Sequence, residues 1–286
     1  MLMNMKDLLA TANEHNFAVP AFNISEYSMF NGIMEAAEEK EAPVIIEIHP
    51  DELAHMEADI IRAVRERAHR STVPVCIHLD HGSTLDQIIL AIQAGYTSVM
   101  IDGSTLSFEE NIAACKEVVR LAHAVDVSVE AELGTIGSTA PGLEAGGNLI
   151  IYTNPDDAVR FVEETGIDTL AIAIGTSHGI YPKGMKPKLK LDLLKEIKEK
   201  VSIPLVLHGG SNNPDEEISQ AVRLGINKIN ISSDIKAAYY EKMREVLEDR
   251  GLREPNEIQP PCVSAMKEVA YHKLELFGAV GKAGLY

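Results

Sequence analysis

Three histidines, each followed by glycine, stand far apart along the chain: His81-Gly82, His178-Gly179 and His208-Gly209. Three neutral imidazoles that leave a fourth position open make a good catalytic zinc site, with Zn–N distances of about 2.0–2.1 Å. No local metal motif links them, so only the fold can bring them together. Asp80 directly precedes the first of the three. A carboxylate that close to a divalent cation should stay ionised at neutral pH, and accepting a hydroxyl proton is a reasonable task for it. Neighbouring Asp80 and His81 cannot both point one way from an extended strand, but a turn at the strand end relaxes this, so that one binds metal and the other faces substrate. The structural alternative for Asp80 is an N-cap for the following helix. His15, His55, His69, His123 and His272 read as structural. His78, two residues before Asp80 on the same strand, should share that residue's face, which leaves a supporting role open to it.

The chain that must position these residues alternates short β-branched runs with longer segments of helical spacing. The strand candidates are 18–23, 44–49, 75–80, 98–102, 127–132, 169–173, 204–208 and 228–231. Runs such as VIIEI, LAIAI and PLVLH are almost continuously apolar, as in parallel strands buried on both faces. Between them 53–68, 85–94, 109–122, 155–165, 191–200 and 215–224 repeat apolar residues at intervals of three and four, the spacing of helices with one buried face. Gly95, Gly166 and Gly225 sit where a helix C-cap needs a residue tolerant of positive φ. Eight βα units imply a (β/α)8 barrel of the α/β class, with a doubly wound open sheet as the runner-up. After Ile231 the pattern is helical through Gly278, which adds extra C-terminal helices. No linker divides the chain, so 1–286 reads as one domain.

A barrel places reactive side chains at the C-terminal ends of its strands. Those positions here are Asn23, His49, Asp80-His81, Asp102, Glu132, His178, His208 and Asn230. Gly209-Gly210-Ser211 after strand seven and Ser232-Ser233 after strand eight mark the standard barrel phosphate site, where backbone N–H groups and hydroxyls meet an anion. Two longer stretches, 135–152 and 179–190, lie after strands five and six and have the length of binding loops or lids.

With 43 acidic against 26 basic residues the formal charge is −17, which argues against nonspecific binding to nucleic acid or an anionic membrane. Cys76, Cys115 and Cys262 are odd in number and widely spaced, without a disulfide or zinc-knuckle pattern. No apolar run has the length of a membrane span, and the N-terminus lacks a signal peptide's apolar core. A cytoplasmic location is the expectation.

Blocks along nearly the whole chain, among them HLDHG (78–82), SVMIDGS (98–104), VSVEAELG (127–134), AIAIGTSHG (171–179), PLVLHGGS (204–211) and KINIS (228–232), resemble the class II, metal-dependent ketose-bisphosphate aldolases, especially the tagatose-bisphosphate aldolases. The resemblance implies zinc on His81, His178 and His208, with Glu132 near the metal as an alternative ligand and Asp102 orienting a ligand histidine. It implies that Asp80 handles the C4 hydroxyl proton of a phosphorylated ketose while the C3–C4 bond breaks to give dihydroxyacetone phosphate and an aldehyde. Gly179, Gly209, Ser211, Asn230 and Ser233 would hold the triose-phosphate half, and Asn23, Gly210, Ile231 and Ser232 complete the expected substrate-binding set. A monovalent cation, Na+ or K+, would bind at Gly179, Gly209 and Ser211, and the protein would be a homodimer or homotetramer. No lysine closes a strand at its apolar C-terminal end, since Lys228 is read as opening strand eight. That argues against Schiff-base chemistry.

The chain departs from this pattern in three places. The acidic pair expected in the loop after strand five is reduced to Glu144. Strand two ends in Glu47-Ile48-His49-Pro50-Asp51 where relatives often present small polar residues. The loop after strand six is rewritten around Lys183. His49, Glu144 and Lys183 are therefore candidates for contacting the aldehyde half. The alternatives are the same mechanism on another ketose 1-phosphate (deoxy, sulfonated, uronic or longer-chain) and a non-catalytic subunit that partners an aldolase.

Overall fold

The computed structural model describes residues 1–138, 150–182 and 187–286. Eight parallel strands form the core: β1 (Val19–Asn23), β2 (Val44–Ile48), β3 (Val75–Gly82), β4 (Ser98–Ile101), β5 (Ser128–Leu133), β6 (Thr169–Ile172), β7 (Leu205–Leu207) and β8 (Ile226–Ile231). They close on themselves in the order β1-β8-β7-β6-β5-β4-β3-β2, the (β/α)8 barrel the alternation predicts. Helices cover the outside, so both faces of a strand such as VIIEI are buried, and this is why those runs carry almost no polar residues.

The helices are α1 (Met5–Glu14), α2 (Tyr27–Glu39), α3 (Pro50–Met56), α4 (Ile60–His69), α5 (Leu85–Ala94), α6 (Phe108–His123), α7 (Pro155–Thr165), α8 (Leu191–Lys200), α9 (Asp215–Arg223), α10 (Ser233–Val246) and α11 (Pro255–Leu276). One sequence reading needs correction. The periodic run 53–68 is two helices, α3 and α4, separated where Glu57 adopts φ 62°. Such a left-handed backbone stops a helix. The apolar spacing runs through the break because Leu53 in α3 and Ile61, Val64 and Ala68 in α4 all turn to the core.

Helix α1 lies across the end of the barrel opposite the functional loops, where the Met5 N–H donates to Ser128 Oγ at 2.8 Å. The extra C-terminal helices pack together, α11 lying against both α2 and α10. They also reach the loops, because buried Lys273 of α11 pairs with Asp234 at the start of α10 at 2.7 Å. The three cysteines are buried and free. Among the described residues no helix is long and apolar enough to cross a membrane.

Candidate active site

The end of β3 turns sharply, with His81 at φ 50°. This break in the alternation puts Asp80 and His81 on the same side, with Asp80 Oδ1 3.8 Å from His81 Nε2. The far nitrogen of His81, Nδ1, lies 2.8 Å from Oδ2 of Asp102, just past β4. Asp102 is fixed in turn, since its Oδ1 accepts from the Ser104 N–H (3.0 Å) and hydroxyl (2.7 Å). Burial would raise the Asp102 pKa, but the hydrogen bonds from His81 and Ser104 and the charge on His81 hold it well below the carboxylate range.

His208 follows β7 and is fully buried. Its Nε2 lies 2.7 Å from Glu130 Oε1 and its Nδ1 2.9 Å from His81 Nε2. His178 is not at the end of β6, where the sequence placed it. It sits on a separate two-residue strand, Ser177–His178, paired in parallel with Gly137–Ser138. That detour still delivers it, because the ring centroids of His81 and His178 are 5.0 Å apart and those of His178 and His208 6.1 Å. One ligand nitrogen from each of the three lies within 4.8 Å of the others.

The partners assign the protons. Asp102 and Glu130 accept from the outer nitrogens, so His81 Nε2 and His208 Nδ1 face each other. Two lone pairs at 2.9 Å repel, so something positive must lie between them. Burial works against charge on His81, yet Asp80 and Asp102 raise its pKa well above the ordinary 6.5. Burial and the neighbouring His81 charge lower that of His208 to about 4. A proton on His81 Nε2, whose pKa is raised, would satisfy the pair, and so would a divalent cation. Two nitrogens bound tetrahedrally at zinc distances would be roughly 3.3 Å apart, so a small shift lets a divalent cation replace that proton. Residues and geometry fit the group.

Glu132, near the end of β5, supplies a second test. It is buried, its Oε2 has no hydrogen-bond partner among the described residues, and that oxygen is 3.9 Å from His208 Nδ1. Burial, with Asp102 and Glu130 nearby, pushes its pKa up to about 8. Glu132 also forms a possible metal cluster with His81 and Asp102. An orphaned buried carboxylate oxygen is costly, and a cation satisfies it.

Asp80 accepts from the side-chain amides of Asn23 (2.8 Å) and Asn230 (3.1 Å). The two asparagines expected on the substrate therefore first hold this carboxylate. Burial would raise the Asp80 pKa, but His81, His208 and Lys228 and the Asn23 hydrogen bond hold it far below the usual range. The N-cap alternative for Asp80 fails, because Thr84 caps α5.

The loops after β7 and β8 meet as the phosphate reading requires, with one change. Gly209 adopts φ 63°, and a Cβ there would lie 2.7 Å from the Ser177 carbonyl oxygen, so only glycine lets this loop approach the strand carrying His178. The Gly210 N–H is spent on the Asn230 carbonyl at 3.1 Å and is not free for an anion. Ser211 Oγ accepts from the Asp234 N–H at 3.3 Å. Ile231 ends β8 and is buried, Ser232 is the N-cap of α10 without a side-chain cap bond, and Ser233 opens the helix. Gly179, at φ 95°, follows His178. His49 caps α3: its Nδ1 accepts from the Asp51 N–H at 3.2 Å while Glu52 accepts from the His49 N–H at 3.1 Å. Its ring centroid is 6.2 Å from that of His81. Glu144 and Lys183 lie outside the described residues.

His78 is buried with Nδ1 2.8 Å from Ser98 Oγ, and burial lowers its pKa to about 3, so the ring is neutral. Sequence reasoning did not select Glu47, Glu130 or Lys228 for the site. Lys228 is the third residue of β8 rather than its opening, and its ammonium is fully buried between Glu47 (2.7 Å) and Glu130 (2.9 Å). The missed signal was charge inside apolar runs: Glu47 in VIIEI, and Glu130 two residues from Glu132 and so on the same strand face.

A (β/α)8 barrel that gathers three histidines and an aspartate at its mouth has a candidate metal site where barrel enzymes carry their chemistry. Residues 3–282 match the family described as class-II fructose-bisphosphate aldolase. The chain is 38% identical to the D-tagatose-1,6-bisphosphate aldolase subunit GatY of Klebsiella oxytoca, over 98% of this chain and 99% of that one. It is 41% identical to fructose-bisphosphate aldolase of Staphylococcus aureus, over 99% of each. Among solved structures it superposes on the YdjI aldolase of Escherichia coli K12 with a TM-score of 0.87 and 35% identity, covering 99% of this chain and 100% of that one. The chain belongs to the class-II fructose-bisphosphate aldolase family. It is a lyase that breaks and forms a carbon–carbon bond by aldol chemistry.

Proposed function

We propose that the protein cleaves a phosphorylated ketose of the tagatose or fructose 1,6-bisphosphate type, reversibly, to dihydroxyacetone phosphate and an aldehyde, with zinc held by His81, His178 and His208. The observation that carries this reading is the 2.9 Å approach of His81 Nε2 to His208 Nδ1, each imidazole backed by a carboxylate, with ionised Asp80 alongside. When bound, zinc supplies Lewis acidity to the ketose carbonyl and adjacent hydroxyl oxygens. Glu132 is the alternative ligand, its oxygen already lying against His208.

Asp80 removes the C4 hydroxyl proton. Its burial excludes water, and its two asparagine donors hold both oxygens in place without protonating them. The triose phosphate sits against Gly179, Gly209, Ser211 and Ser233, where α10 presents its N-terminus, and a monovalent cation (Na+ or K+) shares Gly179, Gly209 and Ser211. His49 faces the aldehyde half. Its Nδ1 is committed to the Asp51 N–H, so its hydrogen is on Nε2, a donor for a substrate oxygen. Lys228 does not form a Schiff base: although burial works against its charge, Glu130 and Glu47 raise its pKa further above the ordinary 10.5, and a charged amine is no nucleophile.

The test is retro-aldol turnover on a panel of ketose 1-phosphates and 1,6-bisphosphates, read by coupled detection of dihydroxyacetone phosphate with and without a chelator. Chelator-sensitive release of that product from at least one substrate is expected. Full turnover after complete metal removal would contradict the zinc assignment, and no release from any of them would contradict the substrate assignment.

A further inference from the structure

Aliphatic layers normally fill a (β/α)8 barrel. Here three ionisable side chains meet inside it, each with no exposure to solvent: Glu47 from β2, Glu130 from β5 and Lys228 from β8; burial and the nearby Asp80 and Glu130 push the Glu47 pKa well above the ordinary carboxylate value. β1 lies between β2 and β8 in the sheet, and β5 is on the opposite wall. Contacts among the three therefore have to cross the interior. Lys228 Nζ is 2.7 Å from Glu47 Oε1, and it donates to Glu130 Oε2 at 2.9 Å and Oε1 at 3.2 Å. The same Glu130 Oε1 lies 2.7 Å from His208 Nε2.

Stability does not account for this arrangement. A buried ion pair gains little over apolar residues of the same volume, because desolvating its charges offsets their attraction. Geometry does account for it. The lysine holds Glu130 as an acceptor with both oxygens oriented, and one of those oxygens can take only the Nε2 hydrogen of His208. That leaves His208 Nδ1 bare and aimed at His81 Nε2. Glu47 fixes the ammonium from the other side.

We infer that Lys228, clamped between Glu47 and Glu130, is a positioning residue for the metal centre: it fixes Glu130 so that His208 is held in the one tautomer and orientation that presents Nδ1 to the cation. This rests on the three-histidine reading of the site. Outer partners of a metal-ligating histidine act in this way in general. The chain here runs one residue deeper, reaching the carboxylate through a lysine on the opposite wall.

The decisive variant is the double substitution Glu47→Gln/Lys228→Met. It removes the ammonium together with the carboxyl group that faces it from β2. Zinc affinity, measured by competition with a chelator at a temperature where the metal-free variant is folded, should fall about tenfold or more. Zinc binding within about twofold of wild type would overturn the inference, since loss of a positioning partner costs more than that. Nitrogen-15 spectra of the metal-free wild-type chain give a second test that needs no variant. His208 should show hydrogen on Nε2 and a bare Nδ1, and the opposite tautomer would overturn the inference. A wild-type chain that binds no zinc at all overturns the three-histidine reading and this inference with it.

Discussion

On the β3, β5 and β7 side of the mouth, His81 and His208 are held from behind by carboxylates that are themselves held, Asp102 by Ser104 and Glu130 by Lys228. On the β2 side His49 stands at the head of the seven-residue helix α3, with Leu53 that helix's one buried residue. The first wall is anchored in strands and barrel interior. The second depends on a cap and a short helix that ends at a strained Glu57. In the proposed function the deep wall carries the metal chemistry and the shallow one the choice of aldehyde. Imprecise ligand geometry loses the metal, whereas a repositioned rim residue changes only what fits.

Substitutions should reproduce that gradient. His208→Ala removes a ligand and should weaken zinc binding by more than the 10–100-fold that loss of an outer partner costs, abolishing cleavage; zinc content after dialysis measures it. Asp102→Asn keeps the shape but exchanges an acceptor for an amide, and zinc affinity should fall by about 10–100-fold. If Asp102→Asn bound zinc as tightly as wild type, the deep wall would not depend on its outer carboxylates.

Zinc binding should also release a proton. His81 has its pKa raised well above 6.5 in the folded metal-free chain, so its charge contributes stability that is fully present below about 6.5 and is lost as pH rises through the raised pKa. Zinc must displace that proton. Affinity should therefore increase with pH through neutrality and level off above the His81 pKa, with about one proton released per zinc near pH 7. Calorimetry in buffers of different ionisation enthalpy reads this number, and zero release would contradict the proton assignment. The smallest effect belongs to the shallow wall. His49→Ala should cost about 1 kcal/mol of stability through the lost cap and shift KM across the substrate panel while leaving zinc affinity unchanged. If zinc affinity fell instead, the two walls would not be separable.

The barrel was legible because eight apolar runs separated by helical periods admit few other topologies, and His81, Asp102 and His208 could be placed by strand ends alone. His178 was legible as a residue but not as a position, because the short strand Ser177–His178 makes no periodic signal. The α3–α4 break was hidden because both helices bury residues at the same spacing. Glu47 and Lys228 were illegible for a different reason. A charge in a strand has no sequence mark that says which group on a far strand it meets, and only barrel closure brings the carboxyl groups of Glu47 and Glu130 within 3 Å of the Lys228 ammonium.

The most direct test of the account separates metal binding from proton transfer in a single variant, Asp80→Ala, assayed for bound zinc and for cleavage of its best substrate in the same preparation. The prediction is zinc at the wild-type level with cleavage slowed by about 10²–10⁴-fold, the range for loss of a general base. Near-normal cleavage with zinc retained would contradict the assignment of Asp80 as the group that takes the hydroxyl proton.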